Sequence, residues 1–596
     1  MWTDIRNSLA LLPPGARWRW ALLVPVTLLA ATVEAFGAAA VFGLIRIIGE
    51  PAQAATLPVA SWVTARLPWR DPRAIVFTFT VLVMVFYIAR NVVLSGAVWV
   101  QERAMDVTVT ALSRRMLAGY LAAPWAFHFG RNSSTLIRRT IDSVEVVFRQ
   151  VLGSLVNIAS EALVVAGIVA ILAATAPVVT LVAVVVSAVL LAAPLVLTRR
   201  VFARWGAEVQ ALDDTTLQTL QQSLGALKEV KLAGRERFFQ DQFTGQQAAL
   251  TRLRSRYATL SATLRMMTEA VFVCALLLVS LLVTLRRGTG QEIVPLLGLY
   301  AYAGFRVIPS ANRLMLNVAN LRFGRAFIRD LYDDVRAFAT HAAALPADGG
   351  ADLPFTRSVA LAHVSYTYDA DRERVLTDID VTIDKGEAVG IVGPSGAGKS
   401  TLIDLLLGLL EPTSGRVTVD GRDIRSGIRS WQRRIGYVPQ SPYLMDDSLR
   451  RNVAFGVGDD EIDERRVDAA LRLAQLAEFA AGLPEKLDTV VGERGVRLSG
   501  GQRQRVAIAR ALYHEPEVLV FDEATAALDN QTERDLIAAL ESLRGRKTLI
   551  VIAHRLTTVR RCDRLVFLRD GRVAAVGSFD QLLATNPEFR AMATTV

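Results

Sequence analysis

Six long apolar segments constrain the fold of this 596-residue chain more than any other feature. Each is about as long as the roughly 20 residues that an α-helix needs to cross the hydrocarbon core of a bilayer. Because no water there can hydrogen-bond to the backbone, such segments cross as helices that satisfy their own polar groups. The sequence therefore predicts a membrane bundle of six helices, over residues 20–48, 74–100, 151–176, 178–197, 267–285 and 293–318.

Composition and charge agree with a membrane protein. Hydrophobic residues make up 52% of the chain, charged residues 21%, and the net charge is +10. The arginines and lysines concentrate in two polar stretches beside the spans, 101–150 and 199–265, so the positive-inside tendency predicts that both stretches and both termini are cytoplasmic. No basic stripe remains elsewhere for nucleic acid. The two cysteines, Cys274 and Cys562, provide neither a disulfide framework nor a metal-binding spacing.

The second half of the chain contains a glycine-rich turn, GPSGAGKST, at residues 393–401. An apolar strand-like run precedes it and a helix-like run follows it. The spacing G-x-x-x-x-G-K-S is typical of a loop whose backbone N–H groups bind phosphate oxygens at a helix N-terminus. In that arrangement Lys399 reaches the β- and γ-phosphates and Ser400 coordinates Mg²⁺. The pattern predicts a site for a nucleoside triphosphate.

Two further motifs carry chemistry. The apolar run VLVFDEAT at 518–525 ends in two carboxylates, and we expect Asp522 to hold Mg²⁺ and Glu523 to polarise an attacking water. The turn LSGGQ at 498–502 precedes a helix and is a second anion-binding turn, with the Ser499 hydroxyl and the Gly501 N–H as its contacts. A second phosphate-binding turn for one nucleotide requires an explanation.

The order of these motifs resembles the nucleotide-binding domain of ATP-binding cassette (ABC) transporters. Gln440 follows Tyr437-Val438-Pro439, and the segments Ala527-Leu528-Asp529 and Ile552-Ala553-His554-Arg555 follow the two carboxylates. The six-span half upstream resembles an exporter half-transporter. The resemblance implies a membrane α-helical bundle plus an α/β P-loop ATPase domain, with domains at 1–338 (membrane), 339–353 (linker) and 354–596 (nucleotide-binding).

The resemblance also implies a role for each matching residue. Tyr368 stacks on adenine, and Glu523, His554 and Gln440 are catalytic. The implied cofactors are ATP and Mg²⁺. The implied nucleotide-binding residues are Tyr368, Gly393, Ser395, Gly396, Gly398, Lys399, Ser400, Thr401, Ser499, Gly501, Gln502 and Asp529, and the implied Mg²⁺ ligands are Ser400, Gln440 and Asp522.

In this family the LSGGQ turn of one subunit closes over the phosphate loop of another, which explains the second turn. A homodimer with two composite ATP sites is favoured, because every catalytic residue is present; a heterodimer with a different chain stays open. The family further implies that residues 489–495 contact the partner's cytoplasmic loops. Each polar stretch should carry a short transverse helix that docks on an ATPase domain, predicted at 132–143 and 218–229.

Charged residues inside the spans are functional hypotheses, with snorkelling at helix ends as the alternative. Arg306 and Arg313 lie seven residues apart on one helical face and suit an anionic head group. The substrate-cavity candidates are Arg306, Arg313, Arg90, Glu34, Glu161 and Glu269.

Local stretches, among them APWAFHFGRNSSTLIRR, resemble bacterial flippases for polyprenyl-pyrophosphate-linked oligosaccharides. Residues 57–69 are then expected to form an external helix, or a plain ordered loop. The resemblance implies ATP-driven flipping of an amphipathic lipid-linked substrate across the bacterial cytoplasmic membrane by a multi-pass protein. A multidrug, lipid or peptide exporter is the alternative within the class, and a non-transporting cassette ATPase is the alternative outside it.

Overall fold

The computed structural model describes residues 2–49, 72–175, 177–285, 290–344, 351–368, 374–523, 538, 542–552 and 556–595. The chain forms two compact units. The first comprises Met1–Ala123 and Gly130–Ala342, and the second comprises Pro124–Phe129 and Ala343–Val596. The predicted external segment at 57–69 lies outside the described residues.

All regular secondary structure in the described part of the first unit is helical. Its helices are α1 (Trp2–Ala10), α2 (Arg17–Gly49), α3 (Pro72–Ala122), α4 (Ser133–Arg138), α5 (Gly153–Thr175), α6 (Pro177–Gly225), α7 (Leu227–Ala233), α8 (Glu236–Leu285), α9 (Gly290–Phe323) and α10 (Arg325–Ala344). Helix α10 continues to Ala344, into the range predicted as linker.

Four helical segments of the described chain are long and apolar enough to cross a membrane, at Pro14–Ile45, Arg73–Ala122, Ser133–Ala174 and Thr180–Gly225. In each segment at most 17% of the most apolar 18-residue stretch is buried inside the structure. The apolar surface of these segments is therefore available to contact lipid or another chain. The predicted fifth and sixth spans fall on α8 and α9, which are helical. The prediction of a helical membrane domain is confirmed.

The positions predicted for the two transverse helices need correction. Residues 132–143 do not form a separate helix, because α4 and two π-helical turns, Arg139–Ser143 and Val146–Leu152, run on continuously into α5. The short element before them is a 3₁₀ helix at Trp125–His128. In the second stretch α6 continues to Gly225, and the short helix is α7 at Leu227–Ala233, nine residues after the predicted start.

The second unit is an α/β structure. Its strands are β1 (Ser358–Tyr366), β2 (Leu376–Asp384), β3 (Ala388–Val392), β4 (Ser414–Val419), β5 (Arg422–Asp423), β6 (Ile435–Val438), β7 (Val518–Asp522), β8 (Thr548–Ile552), β9 (Arg564–Arg569) and β10 (Arg572–Gly577). Its α-helices are α11 (Lys399–Leu406), α12 (Ile428–Arg433), α13 (Leu449–Val453), α14 (Glu464–Leu473), α15 (Ala477–Gly482), α16 (Gly500–Tyr513), α17 (Leu556–Val559), α18 (Phe579–Thr585) and α19 (Pro587–Thr595).

Two sheets organise this unit. The first has the order β2-β1-β4-β5 and is antiparallel, and the second has the order β10-β9-β3-β8-β7-β6 and is parallel from β9 to β6. Side chains of the parallel strands alternate between two cores: Val518 and Val520 face one, and Leu519 and Phe521 face the other. A parallel sheet covered on both faces needs continuous apolar strands, which explains the uninterrupted hydrophobic runs before the motifs.

Candidate functional site

The phosphate loop connects β3 to α11, as predicted. All five residues of β3 are buried, so the strand fixes the start of the loop within the core. Gly396 and Gly398 have φ angles of +81° and +93°, in the left-handed region that favours glycine. A Cβ at Gly398 would lie 2.6 Å from Leu376 Cδ2, so this position excludes other residues by sterics as well. Ser395 and Ser400 lie on the exposed side of the loop.

Lys399 folds back over its own loop. Its Nζ donates hydrogen bonds to the carbonyl oxygens of Gly393, at 2.9 Å, and Pro394, at 3.0 Å. The residue is 7% exposed, and burial lowers the pKa of its ammonium group while the nearby Glu523 and Asp522 carboxylates oppose that shift. The ammonium group is therefore held inside the loop by two weak carbonyl acceptors, from which a phosphate can recruit it.

The two carboxylates at the end of β7 accept hydrogen bonds from two residues at or just beyond the end of the neighbouring strand β6. Gln440 Nε2 donates a hydrogen bond of 2.6 Å to Glu523 Oε2, and the Tyr437 hydroxyl donates one of 3.1 Å to Asp522 Oδ2. The strands β6 and β7 pair in parallel, so their carboxyl ends lie at the same edge of the sheet. Glu523 has a φ of +50° and donates its N–H to Ile552 O at 3.0 Å, which fixes its backbone at the end of β7. Three predicted residues, 83 positions apart in the chain at most, are thus brought together.

Asp404, in the second turn of α11, lies near the site although none of the sequence motifs predicted it. Burial and the negative charge of Asp522 raise the pKa of its carboxyl group to about 6. Burial and the same Asp522 carboxylate also raise the pKa of Tyr437. An acid inside the apolar run after the phosphate loop was the signal that could have identified it.

These residues fit a magnesium ion. Mg²⁺ prefers oxygen ligands, and the Asp522 carboxylate, the Ser400 hydroxyl and the Gln440 amide oxygen are all of that kind. Burial, and then the negative charge of Asp522, raise the pKa of the Asp404 carboxyl group, so two carboxyl groups lie near each other here and a divalent cation would offset their charge.

The LSGGQ turn forms the N-terminus of α16. Ser499 is the N-cap residue: its Oγ accepts a hydrogen bond from the Gln502 N–H at 3.2 Å, and the Gln502 side chain accepts one from the Ser499 N–H at 2.8 Å. This reciprocal capping box fixes both side chains at the helix start, with Gly501 in the first turn. The side-chain hydrogen bonds that the structure describes for Ser499 and Gln502 join these two residues to each other. The upstream segment 489–495 includes a short 3₁₀ helix at Glu493–Gly495.

Tyr368 lies two residues beyond β1 with 44% of its surface exposed. Its hydroxyl oxygen is 3.0 Å from Thr401 Oγ1, in the first helical turn after the phosphate loop. The predicted adenine-stacking residue is therefore close to the predicted phosphate site. His554 and Asp529 lie outside the described residues.

Five of the six predicted substrate-cavity residues form ion pairs. Arg90 Nη2 lies 2.9 Å from Glu34 Oε1, and Arg306 approaches the same carboxylate. Arg313 pairs with Glu161 through both carboxylate oxygens. The pairs join α3 and α9 to α2, and α9 to α5. Glu269 lies on an exposed part of α8.

The fold and the site together define a transporter ATPase, and comparison with known families agrees. Residues 376–526 match the family "ABC transporter", and residues 37–300 match "ABC transporter transmembrane region". The chain belongs to the ABC transporter family and has the exporter fold, with a helical membrane domain and a nucleotide-binding domain. It is an ATP-hydrolysing translocase, so the predicted class is confirmed.

Individual relatives are more specific. The chain is 31% identical over 508 residues to the ATP-dependent lipid A-core flippase of Ralstonia nicotianae, covering 83% of each protein. It is 34% identical over 486 residues to that of Cupriavidus metallidurans, covering 79% of each. Among solved structures it resembles a bacterial Atm1-family ABC exporter with ATP bound, with a TM-score of 0.80 and 26% identity over 97% of this chain and 98% of the other.

Proposed function

We propose that this chain uses ATP to flip a phosphorylated glycolipid across the bacterial cytoplasmic membrane. Two relatives of at least 31% identity are named lipid A-core flippases, which supports a lipid substrate. The local resemblance to flippases of polyprenyl-pyrophosphate-linked oligosaccharides supports a related head group. Both classes share an anionic phosphate joined to sugar and to long apolar chains.

The observation that carries this proposal is the set of arginines paired inside the apolar bundle. Three arginines, at 90, 306 and 313, meet two glutamates, at 34 and 161. Charges among apolar helices are costly unless they are paired, so the glutamates hold the arginines in the bundle in the resting state. The guanidinium groups exceed the carboxylates by one, and guanidinium binds phosphate in a bidentate manner, so an anionic head group can replace a carboxylate.

Among these arginines Arg313 is the most accessible partner for a head group. Its side chain is 46% exposed, whereas that of Glu161 is 12% exposed. The side chains of Arg90 and Glu34 are both 11% exposed. We therefore assign the first contact with the substrate phosphate to Arg313, and the deeper contacts to Arg90 and Arg306.

The ATP site supplies the energy. Lys399 exchanges its two carbonyl acceptors for the β- and γ-phosphates, and Glu523, oriented by Gln440, polarises the attacking water. Ser400, Gln440 and Asp522 would hold Mg²⁺, which would supply positive charge against the phosphates. His554 contacts the γ-phosphate and Asp529 links the two sites.

Two copies complete each site. The Ser499 hydroxyl, the Gly501 N–H and Gln502 of one copy close over the ATP of the other, in a homodimer. The membrane, linker and nucleotide-binding domains are 1–338, 339–353 and 354–596, with the ATPase domain and both termini in the cytoplasm. Binding of ATP closes the dimer, and hydrolysis resets it.

The test uses full-length protein in liposomes and two fluorescently labelled substrates, a lipid A-type glycolipid and a polyprenyl-pyrophosphate-linked oligosaccharide. Glu523→Gln should lower ATP turnover by about 10²- to 10⁴-fold. The double variant Arg313→Gln/Glu161→Gln removes a whole ion pair and leaves no unpaired charge in the bundle, so it tests substrate binding without exposing the fold to a lone carboxylate. It should weaken substrate affinity by about 10- to 100-fold while basal hydrolysis continues.

A matched control is Arg204→Gln, since the Arg204 side chain is 79% exposed and its ion pair among the described residues is with Glu208, four residues on in the same helix. Transport that survives in the double variant would contradict the head-group role. Hydrolysis stimulated by drugs and by neither glycolipid would favour the multidrug alternative. Recovery of the chain in the soluble fraction would favour a non-transporting ATPase.

A further inference from the structure

The segment Pro124–Phe129, here called the aromatic tip, belongs to a different compact unit from the helices that flank it in the chain. It belongs to the second compact unit, whereas α3 before it and α4 after it belong to the first. It consists of a 3₁₀ helix, Trp125–His128, followed by Phe129 and by Gly130 with a φ of +72°. Its sequence, PWAFHF, contains three aromatic rings besides histidine, although none of its residues is buried.

Phe129 contacts Tyr368. The two ring centroids are 5.5 Å apart at an interplanar angle of 62°, an edge-to-face arrangement. Tyr366 meets Tyr368 from a second direction, at 5.0 Å and 88°. The hydroxyl of Tyr368 is fixed at a third point by Thr401, at 3.0 Å. Two ring edges and one hydrogen bond therefore define the orientation of Tyr368.

The supports of Tyr368 differ in kind. Tyr366 is 7% exposed at the end of β1, and Thr401 is 5% exposed at the start of α11, so both belong to the rigid part of the unit. Phe129 is 41% exposed and comes from a segment more than two hundred residues away in the chain. Because the Phe129 ring is so exposed, it adds little to the core. Its contact with Tyr368 acts instead on the orientation of the Tyr368 ring.

We infer that Phe129 is a positioning residue for the nucleotide base, which it orients through Tyr368. This inference rests on the proposed role of Tyr368 in stacking on adenine. A purine needs an open aromatic face at a fixed angle, and a tyrosine that turns freely about its two side-chain torsions must be ordered when the base binds. Phe129 limits that freedom beforehand, so part of the ordering cost of binding is removed.

The size of the effect follows from the geometry. An edge-to-face aromatic pair contributes to stability beyond its buried area by an amount that corresponds to about a 2- to 12-fold change in an equilibrium constant. Phe129→Ala should weaken ATP binding within that range. Phe129→Tyr, which keeps the ring, should retain the wild-type Kd, and Phe129→Leu, which keeps bulk without a ring, should resemble Phe129→Ala.

The experiment measures equilibrium binding to the full-length protein in detergent and EDTA, where hydrolysis does not occur. ATP and inorganic tripolyphosphate, which lacks a base, each compete against a fluorescent ATP analogue. Phe129→Ala should weaken ATP and leave the Kd of tripolyphosphate unchanged. The matched control is Phe127→Ala, the same substitution two residues earlier in the aromatic tip, which should leave both Kd values unchanged. Equal weakening of both ligands by Phe129→Ala would overturn the inference, because a disturbed loop would then affect the phosphate site.

A double-mutant cycle separates this inference from the role of Tyr368 itself. Tyr368→Ala should weaken ATP and spare tripolyphosphate, and adding Phe129→Ala to it should change nothing further. If Tyr368→Ala leaves ATP binding unchanged, the proposed adenine role of Tyr368 fails. If Tyr368→Ala weakens ATP binding but Phe129→Ala has no effect, or has its full effect in the Tyr368→Ala background, the positioning role of Phe129 fails alone.

Discussion

The two left-handed glycines of the phosphate loop allow conformational strain to be separated from steric exclusion. Gly396 and Gly398 have φ angles of +81° and +93°, so replacing either by alanine costs about 1–2 kcal/mol of backbone energy. Their surroundings differ. A Cβ at Gly396 would meet nothing within 4 Å, whereas one at Gly398 would lie 2.6 Å from Leu376 Cδ2 and 3.1 Å from Val375 O.

Neither neighbour of Gly398 can yield easily. Leu376 is 0% exposed in the core between the sheets, and Val375 is fixed by a hydrogen bond of 2.9 Å from its N–H to Tyr366 O. Crowding of this kind in a packed core costs a further 1–3 kcal/mol, or about 2–5 kcal/mol in total for Gly398→Ala. Gly396→Ala should cost only the backbone part.

The assay is thermal unfolding of the nucleotide-free full-length protein, with the second unit followed by hydrogen–deuterium exchange of β3. Because about 1 kcal/mol corresponds to about 2–4 °C for a domain of this size, Gly396→Ala should lower Tm by about 2–8 °C. Gly398→Ala should lower it by about 2–12 °C more. Equal shifts for the two variants would refute the steric argument and leave backbone conformation as the whole effect.

Other substitutions have outcomes that follow from the same structure. Asp420 accepts hydrogen bonds from the N–H groups of Thr356, Arg357 and Ser358, which hold its pKa below the ordinary value. Asp420→Asn should therefore lower the stability of the second unit by about 1–3 kcal/mol at neutral pH. The loss should begin to shrink as pH falls below about 3.9, where the unfolded carboxyl takes up a proton, and should vanish only below the depressed pKa of the folded carboxyl. An exposed control, Asp446→Asn, should stay within about 0.5 kcal/mol in the same urea titration. The Arg138 side chain is 2% exposed and pairs with Asp214, so Arg138→Met should lower the free energy of unfolding by about 3–5 kcal/mol. Arg149→Met, at a side chain that is 41% exposed, should lower it by less than about 1 kcal/mol. Similar melting temperatures for the two variants would contradict this difference. Glu161→Gln should free Arg313 and tighten binding of an anionic lipid in a vesicle-binding titration, and weaker binding would count against the competition between carboxylate and head group.

The parts of the site that sequence predicted best are those that local pattern determines. A continuous apolar strand, a glycine spacing and a helix start are properties of neighbouring residues, and β3, the loop and α11 appear where the motif requires them. The contact of Gln440 with Glu523 has another origin. This contact forms because β6 and β7 are neighbours in the sheet, and neither sequence motif predicts the strand order.

The errors also have a physical origin. Residues 132–143 have caps and polar residues typical of a separate short helix, and Asn132 does cap α4. The chain nevertheless continues through two π-helical turns into α5, where Arg138 is buried against Asp214 of α6. The local sequence signals favour a separate short helix, whereas the tertiary pairing of the buried Arg138 accompanies one continuous helix. Asp404 was missed for a similar reason, because its environment depends on Asp522, more than a hundred residues away.

The intramembrane arginines show how far helical spacing can be used for function. Arg306 and Arg313 share a face of α9, and that spacing alone is compatible with two free cations lining a cavity. In the structure each meets a different helix, through Glu34 of α2 and Glu161 of α5. A paired guanidinium binds a phosphate only in competition with its carboxylate, so head-group affinity is lower than two free arginines would give. Under the proposed flippase function this is an advantage, since the substrate must also be released, and the carboxylates that lower affinity would pair again with the arginines when the lipid leaves.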